Sequence, residues 1–465
     1  MSQRNVKTND TRTMKKLIMT MIVGLLASVV NVASASDSFV LNGLLYKVKD
    51  GNTLEVGKID DKHKPTGKLV IPARVKYDGT TYQVTAVTGW GFFGCEDITE
   101  VEFPSTLERI GSYAFCKCGM KKVVVPESVR QMDYCVFQDC PNLVSAVLPQ
   151  ELDILEEGCF KECSKLTDVV VPKNMTLLPR TMFSDCKSLT EFTIPEGVVT
   201  IGDYAFSSCE SLTKIVFPST LKTIKQNAFL DCGFTEIDIP EGVEDLYDNS
   251  FGSSKKLERM SWPSTLNWVG GNPFRYSPNV KVSISEQNQS FKVVNDILYT
   301  KDGTKLIMAF PGANPGDYVV PKGVKEIGPY AFYNNNGLTS VVLPVGVEAI
   351  GACAFHDCRN LKKITLPKGL QEIGDKAFYS CSSLERIDLP KSLERMEGAV
   401  FNFCGEMREV TVYESLFNVE RCFNNLMFSF CDDSLVIKVL NDKGKVVKTT
   451  KVSEMPDFSR FFPHR

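Results

Sequence analysis

Residues 192–218 read FTIPEGVVTIGDYAFSSCESLTKIVFP, and nearly the same phrase returns along most of the chain. Leu212, Ile215 and Phe217 alternate along a short strand and supply its inner face. Pro218 closes that strand, because it has no N–H to give to a ladder. The return path carries Val198, Ile201, Gly202, Ala205, Phe206 and Cys209. Ile201, Ala205, Phe206 and Cys209 recur at spacings of four, one and three, which predicts one short helical or 3-10 turn. One turn is far below the ~12–15 residues an isolated helix needs, so only stacking on neighbours can hold it.

The neighbours are there. Proline stands at 104, 126, 149, 172, 195, 218, 240, 263, 321, 344, 367 and 390, and a phenylalanine follows each by eleven residues, from Phe115 to Phe401. Consecutive prolines lie 22 or 23 residues apart, except across one gap of 58 residues. A fixed period of this length is the signature of a solenoid, in which each unit buries its apolar face only against the next. Rungs about 4.8 Å apart would place the phenylalanines in one buried column.

The pattern L-x-x-I-x-L-P…L-x-x-I-G-x-x-A-F-x-x-C, with a further variant at Gly91-Phe92-x-x-Cys95, resembles the BspA-like, or treponemal-type, leucine-rich repeats of bacterial surface proteins. The resemblance covers roughly residues 69–412. It implies a leucine-rich-repeat solenoid with a long parallel β-sheet on the concave side, short helical or 3-10 turns on the convex side, and β-rich caps. It also implies adhesion to host matrix proteins. Some units depart from the pattern: Met132-Asp133 and Leu155-Glu156 lack the glycine, and Ser254, Ser277 and Asn335 replace the periodic cysteine.

Residues 14–35, MKKLIMTMIVGLLASVVNVASA, read as a secretory signal: basic Lys15 and Lys16, an apolar core from Leu17 to Val30, and an Ala33-Ser34-Ala35 cleavage site. The apolar run is short and broken by Thr20, Ser28 and Asn31, which disfavours a membrane anchor. Cleavage after Ala35 would deliver the chain to the cell surface, the periplasm or the medium. Residues 1–13 are polar and read as an upstream start. Of 53 basic and 56 acidic residues, five and one fall in residues 1–35, so the mature part carries a net charge of −7. Without a Lys/Arg block, that balance excludes a nucleic-acid footprint.

Ten of the sixteen cysteines stand three residues after a repeat phenylalanine. Export would ordinarily suggest disulfides, but thiols in register on stacked rungs lie too far apart and too parallel for Cβ atoms that must come within about 3.8 Å. The expected column is reduced, each cysteine packing as a small hydrophobe. Cys422 and Cys431 fall outside it and are the best candidates for a bridge. Cys116-x-Cys118 has no second pair, so zinc is not expected.

The organisation reads as an N-terminal extension and signal (1–35), a β-rich cap (36–90), a first array (91–284), a β-hairpin insertion (285–316), a second array (317–412) and a C-terminal cap (413–465). Asp50-Gly51, Asp78-Gly79, Asp302-Gly303 and Lys443-Gly444 mark the hairpin turns. The hairpin around Asp302-Gly303 is expected to project from one edge, with nine units before it and four after.

No catalytic residue, metal ligand or cofactor is expected. His63, His356 and His464 are scattered, and no G-x-S-x-G, H-E-x-x-H, phosphate-loop or EF-hand pattern occurs. His356 beside Cys353 and Cys358 is the one close Cys–His set, and it sits in the expected turn. Binding is the remaining class. The outward strand positions two before each proline include Val124, Val147, Val170, Thr193 and Val216, an apolar stripe. Those four before include Lys122, Asp168, Glu191 and Lys214, a mixed-charge edge. Valine also simply suits a strand, but a stripe in a groove marks a partner site. The reading is an exported, monomeric, non-enzymatic recognition or adhesion protein for a host matrix protein, a cell-surface protein or a glycan, with no transmembrane segment in its mature form. The alternative is a structural or accessory envelope protein, for example in surface glycan handling.

Overall fold

The computed structural model describes residues 38–417, 423 and 425–455. The signal segment, His464 and Cys422 lie outside them. Each repeat contributes two short parallel strands. In the quoted unit, Lys214–Val216 pairs in register with Glu191–Thr193 one rung back. Thr200–Ile201 forms a second ladder with Leu177–Leu178 and Thr223–Ile224. The result is a β-solenoid with a long-strand face and a short-strand face and almost no helix.

The turn between the two ladders keeps the i to i+3 hydrogen bonds of a 3-10 turn, but only at alternate residues. Ala205, Ser207 and Cys209 donate to Gly202, Tyr204 and Phe206. The N–H groups between them, on Tyr204, Phe206 and Ser208, donate to Gln226, Ala228 and Leu230 of the next rung. Tyr204 and Ser208 reach this geometry at φ of 57° and 60°, which breaks any continuous helix. Every backbone donor from Tyr204 to Cys209 is thereby paired, half within the rung and half with its neighbour. Rungs approach so closely at the start of the turn that a Cβ on Gly202 would lie 2.7 Å from the Leu178 carbonyl oxygen.

Inside, the phenylalanines form the expected column. From Phe115 through Phe137, Phe160, Phe183, Phe206 and Phe229 to Phe251, ring centroids are 5.2–5.9 Å apart and nearly parallel. Phe332, Phe355, Phe378 and Phe401 repeat the arrangement in the second array. The column then continues one step further than the proline pattern, because Phe428 stacks on Phe401 at 5.6 Å. Cys431, expected outside the cysteine column, is therefore its last member and a free thiol. The signal was Phe428-x-x-Cys431, hidden because Glu414–Phe417, a single helical turn, replaces the usual proline segment.

The insertion does not project. Phe291–Val294, Ile297–Thr300 and Lys305–Ala309 form an antiparallel meander, and its third strand pairs in parallel with Glu326–Ile327 of the next rung. Ser38–Leu41, Leu44–Val48 and Thr53–Lys58 do the same at the N-terminus, the last pairing in parallel with Thr80–Val87. Leu44-Leu45-Tyr46 matches Ile297-Leu298-Tyr299, and both tyrosines are buried. The inserted meander is a second, internal cap. One set of its side chains, Leu298, Met308 and Phe310, packs into the first core, and another, Ile297, Tyr299 and Leu306, packs into the second. Apolar residues on both faces are what bury it, where a projecting hairpin would leave one face wet.

Candidate binding face

On the long-strand face the pleat turns alternate residues outward. Val123 and Val125 are buried while Val124, between them, is 51% exposed. Val124, Val147 and Val170 are direct register partners, as are Thr193 and Val216. Val170, Val216 and Thr193 are exposed and Val147 is half-buried, so the positions face outward in two register-matched pieces, Val124-Val147-Val170 and Thr193-Val216, on separate sheets. Val319 and Val342 extend the same position beyond the internal cap.

The charged row lies beside it, one pleat further back. Lys122, Ser145 and Asp168 align across three rungs. Lys214 Nζ lies 3.3 Å from Glu191 Oε2, and Arg259 pairs with Glu236. After the internal cap, Asp317 accepts hydrogen bonds from Ser340 Oγ and Thr339 Oγ1, at 2.7 and 2.9 Å, which hold its carboxyl below the usual range. Exposed pairs of this kind contribute little to stability.

The buried cysteine column is poorly suited to nucleophilic chemistry. Burial pushes the thiols of Cys209 and Cys381 in the column far above the range in which a thiolate forms. His356, half-buried, is stacked between Tyr333 at 4.9 Å and Tyr379 at 4.7 Å. Those two tyrosines directly follow repeat phenylalanines, and this period-23 row of turn aromatics was open to reading in the sequence but was masked by the stronger column one residue earlier. Among the described residues, no group of three His, Cys, Asp or Glu side chains is arranged to hold a metal ion, and no helix is long and apolar enough to cross a membrane.

A family model described as the BspA type leucine rich repeat region matches residues 86–192, 176–295 and 309–433. Among solved structures, a leucine rich cell surface protein from Faecalibacterium prausnitzii is 22% identical, with 88% of this chain and 96% of that one covered at a TM-score of 0.51. A leucine-rich repeat protein from Bacteroides ovatus is 26% identical over 86% of this chain and 99% of that one, at a TM-score of 0.46. The pneumococcal vaccine antigen PcpA is 20% identical over 88% of this chain and 95% of that one, at a TM-score of 0.44. No curated protein matches the chain.

Proposed function

This chain belongs to the BspA-type leucine-rich-repeat family, and on that footing we propose that it is an exported, non-enzymatic binding protein that holds a protein partner on its long-strand face. The observation that carries this reading is the outward valine stripe, with Val124, Val147 and Val170 in register and Val216 further along, exposed except for the half-buried Val147 and flanked by the exposed Lys122, Asp168 and Lys214. An apolar stripe edged by charge, on a rigid sheet, resembles the apolar centre and polar rim of a protein–protein interface. Export rests on the signal pattern of residues 14–35. A surface location is also in keeping with the relative from F. prausnitzii, described as a cell surface protein.

The test is a binding screen of the mature chain, residues 36–465, against matrix proteins, cell-surface proteins and glycans, with surface proteolysis of intact cells run beside it. A protein ligand whose binding fails when the stripe carries charge supports the proposal. A ligand indifferent to the stripe moves the site elsewhere.

A further inference from the structure

A regular unit crosses from its short strand, Thr200–Ile201, to its long strand, Lys214–Val216, through residues 202–213. The rung entered from the internal cap's last strand is shorter: Leu306, the register partner of Ile327, is followed by ten residues before Asp317, the partner of Ser340. Two residues of the crossing are missing, while the rung after it keeps the regular twelve. The space left open is a cleft of about 670 Å³. Tyr276 from the rung before and Tyr333 from the rung after meet at it, their hydroxyl oxygens 2.5 Å apart and their rings edge to face.

The cleft has a distinct chemistry. No carboxylate lines it. Asn272, Asn314, Asn334 and Asn336 do, together with Arg275. The charge of Arg275 is already answered: Nη2 lies 3.2 Å from Asp248 Oδ2, and the guanidinium sits over the Tyr330 ring. Its Nε is buried and has no hydrogen-bond partner among the described residues. A ligand that suits these walls is therefore uncharged and rich in groups that both donate and accept, as side-chain amides do. It also needs an apolar flank to lie against tyrosine, whose ring is an apolar body with a polar tip. Sugars combine both features, since each hydroxyl donates and accepts while the C–H face of a pyranose is apolar. A volume in the range of roughly 300–1,000 Å³ is that of an ordinary small-molecule site.

We propose that this cleft binds a neutral saccharide, the end or a side branch of a glycan, at a site separate from the long-strand face. The test is saturation-transfer NMR on the mature chain with methyl glycosides of glucose, galactose, mannose and N-acetylglucosamine and with their β-linked disaccharides. At least one probe should receive saturation. Asn314→Trp, which fills the cleft, should abolish that transfer. Tyr276→Ala, at a residue more than half exposed, should weaken binding at least five-fold, and Val170→Glu should leave it unchanged. No transfer to any probe overturns the proposal, as does transfer that survives Tyr276→Ala at full strength. Should Asn314→Trp lower the melting temperature, Tyr276→Ala decides alone. Loss of saccharide binding in Val170→Glu would place the sugar on the long-strand face and also overturn it.

Discussion

The thiol of Cys209 donates to the carbonyl oxygen of Phe183, one rung back, with sulfur and oxygen 3.1 Å apart. The same relation joins Cys118 to Phe92, Cys163 to Phe137 and Cys381 to Phe355, at 3.0 to 3.2 Å. Where serine takes the position, Ser277 Oγ reaches the Phe251 oxygen at 2.9 Å. Each thiol is thus aimed at backbone instead of at the next thiol, which is a local reason for the column to stay reduced. The phenylalanine carbonyl also accepts from the cysteine N–H of its own rung, as Phe183 does from Cys186, so the two bonds stitch consecutive turns together.

Thiol labelling follows directly. In the native protein the column cysteines should react slowly with alkylating reagents near neutral pH, because burial holds thiols such as Cys209 and Cys381 protonated. Under denaturing, non-reducing conditions most of the ten should label. Mass spectrometry that finds five disulfides among them would refute the stacking account.

Substitutions in the two columns should separate by size. Phe160, with Phe137 5.8 Å away on one side and Phe183 5.9 Å away on the other, is fully buried. Phe160→Ala should destabilise by about 3–5 kcal/mol. Cys209→Ser should stay within about 1 kcal/mol of the parent, because a hydroxyl can keep the bond to Phe183 as Ser277 does to Phe251. Denaturant unfolding measures both.

Acid should loosen the second array through His356. Burial lowers its proton affinity, and the nearby Asp357 carboxylate opposes this without winning. The folded value therefore lies below the unfolded one of about 6.5. In the window between them the unfolded chain binds the extra proton, so this contribution is present above about 6.5 and is lost as pH falls toward the folded value. His356→Phe keeps a ring between Tyr333 and Tyr379 and should flatten the decline in melting temperature between pH 7 and pH 5. An unchanged decline would locate the acid sensitivity elsewhere.

Charge on the valine stripe tests the binding face. Val147→Glu and Val170→Glu alter outward positions, so folding stability should move by only about 0.5 kcal/mol. Affinity for a partner seated on the stripe should fall by about 2 kcal/mol, or roughly thirty-fold. Titration of one ligand against both variants and Phe160→Ala separates lost contact from lost fold. Equal affinity in both glutamate variants would move the site off the stripe.

Much of this was legible because a solenoid repeats its own rules. A residue seen once every 22 or 23 positions declares its place, so Phe206, Cys209 and Val216 could each be assigned to a column, a ladder or a surface. What escaped was whatever occurs once. The burial of the inserted meander depends on both of its faces meeting a core, and alternation within Ile297-Leu298-Tyr299 cannot reveal which faces will be covered. The turn between the ladders misled for another reason. Spacings of four, one and three suit a helix, and the left-handed φ at Tyr204 and Ser208 comes from hydrogen bonds to the next rung, which no local window contains. The cleft beside Tyr276 is an absence of residues, visible only once the rungs are stacked.

The internal cap also sets how the molecule would yield under load. A chain tethered at one end and pulled at the other loses a solenoid from its ends, because each rung is held only by its neighbours. Each rung that peels away lengthens the tether by about 80 Å, from 22 or 23 residues at roughly 3.6 Å each. Since the meander divides the interior into two cores, peeling that begins at the C-terminal hairpin would meet a fresh, capped end after the second array instead of running on through the first. The chain would pay out in two stages, and the valine stripe of the first array would keep its shape while the second served as slack.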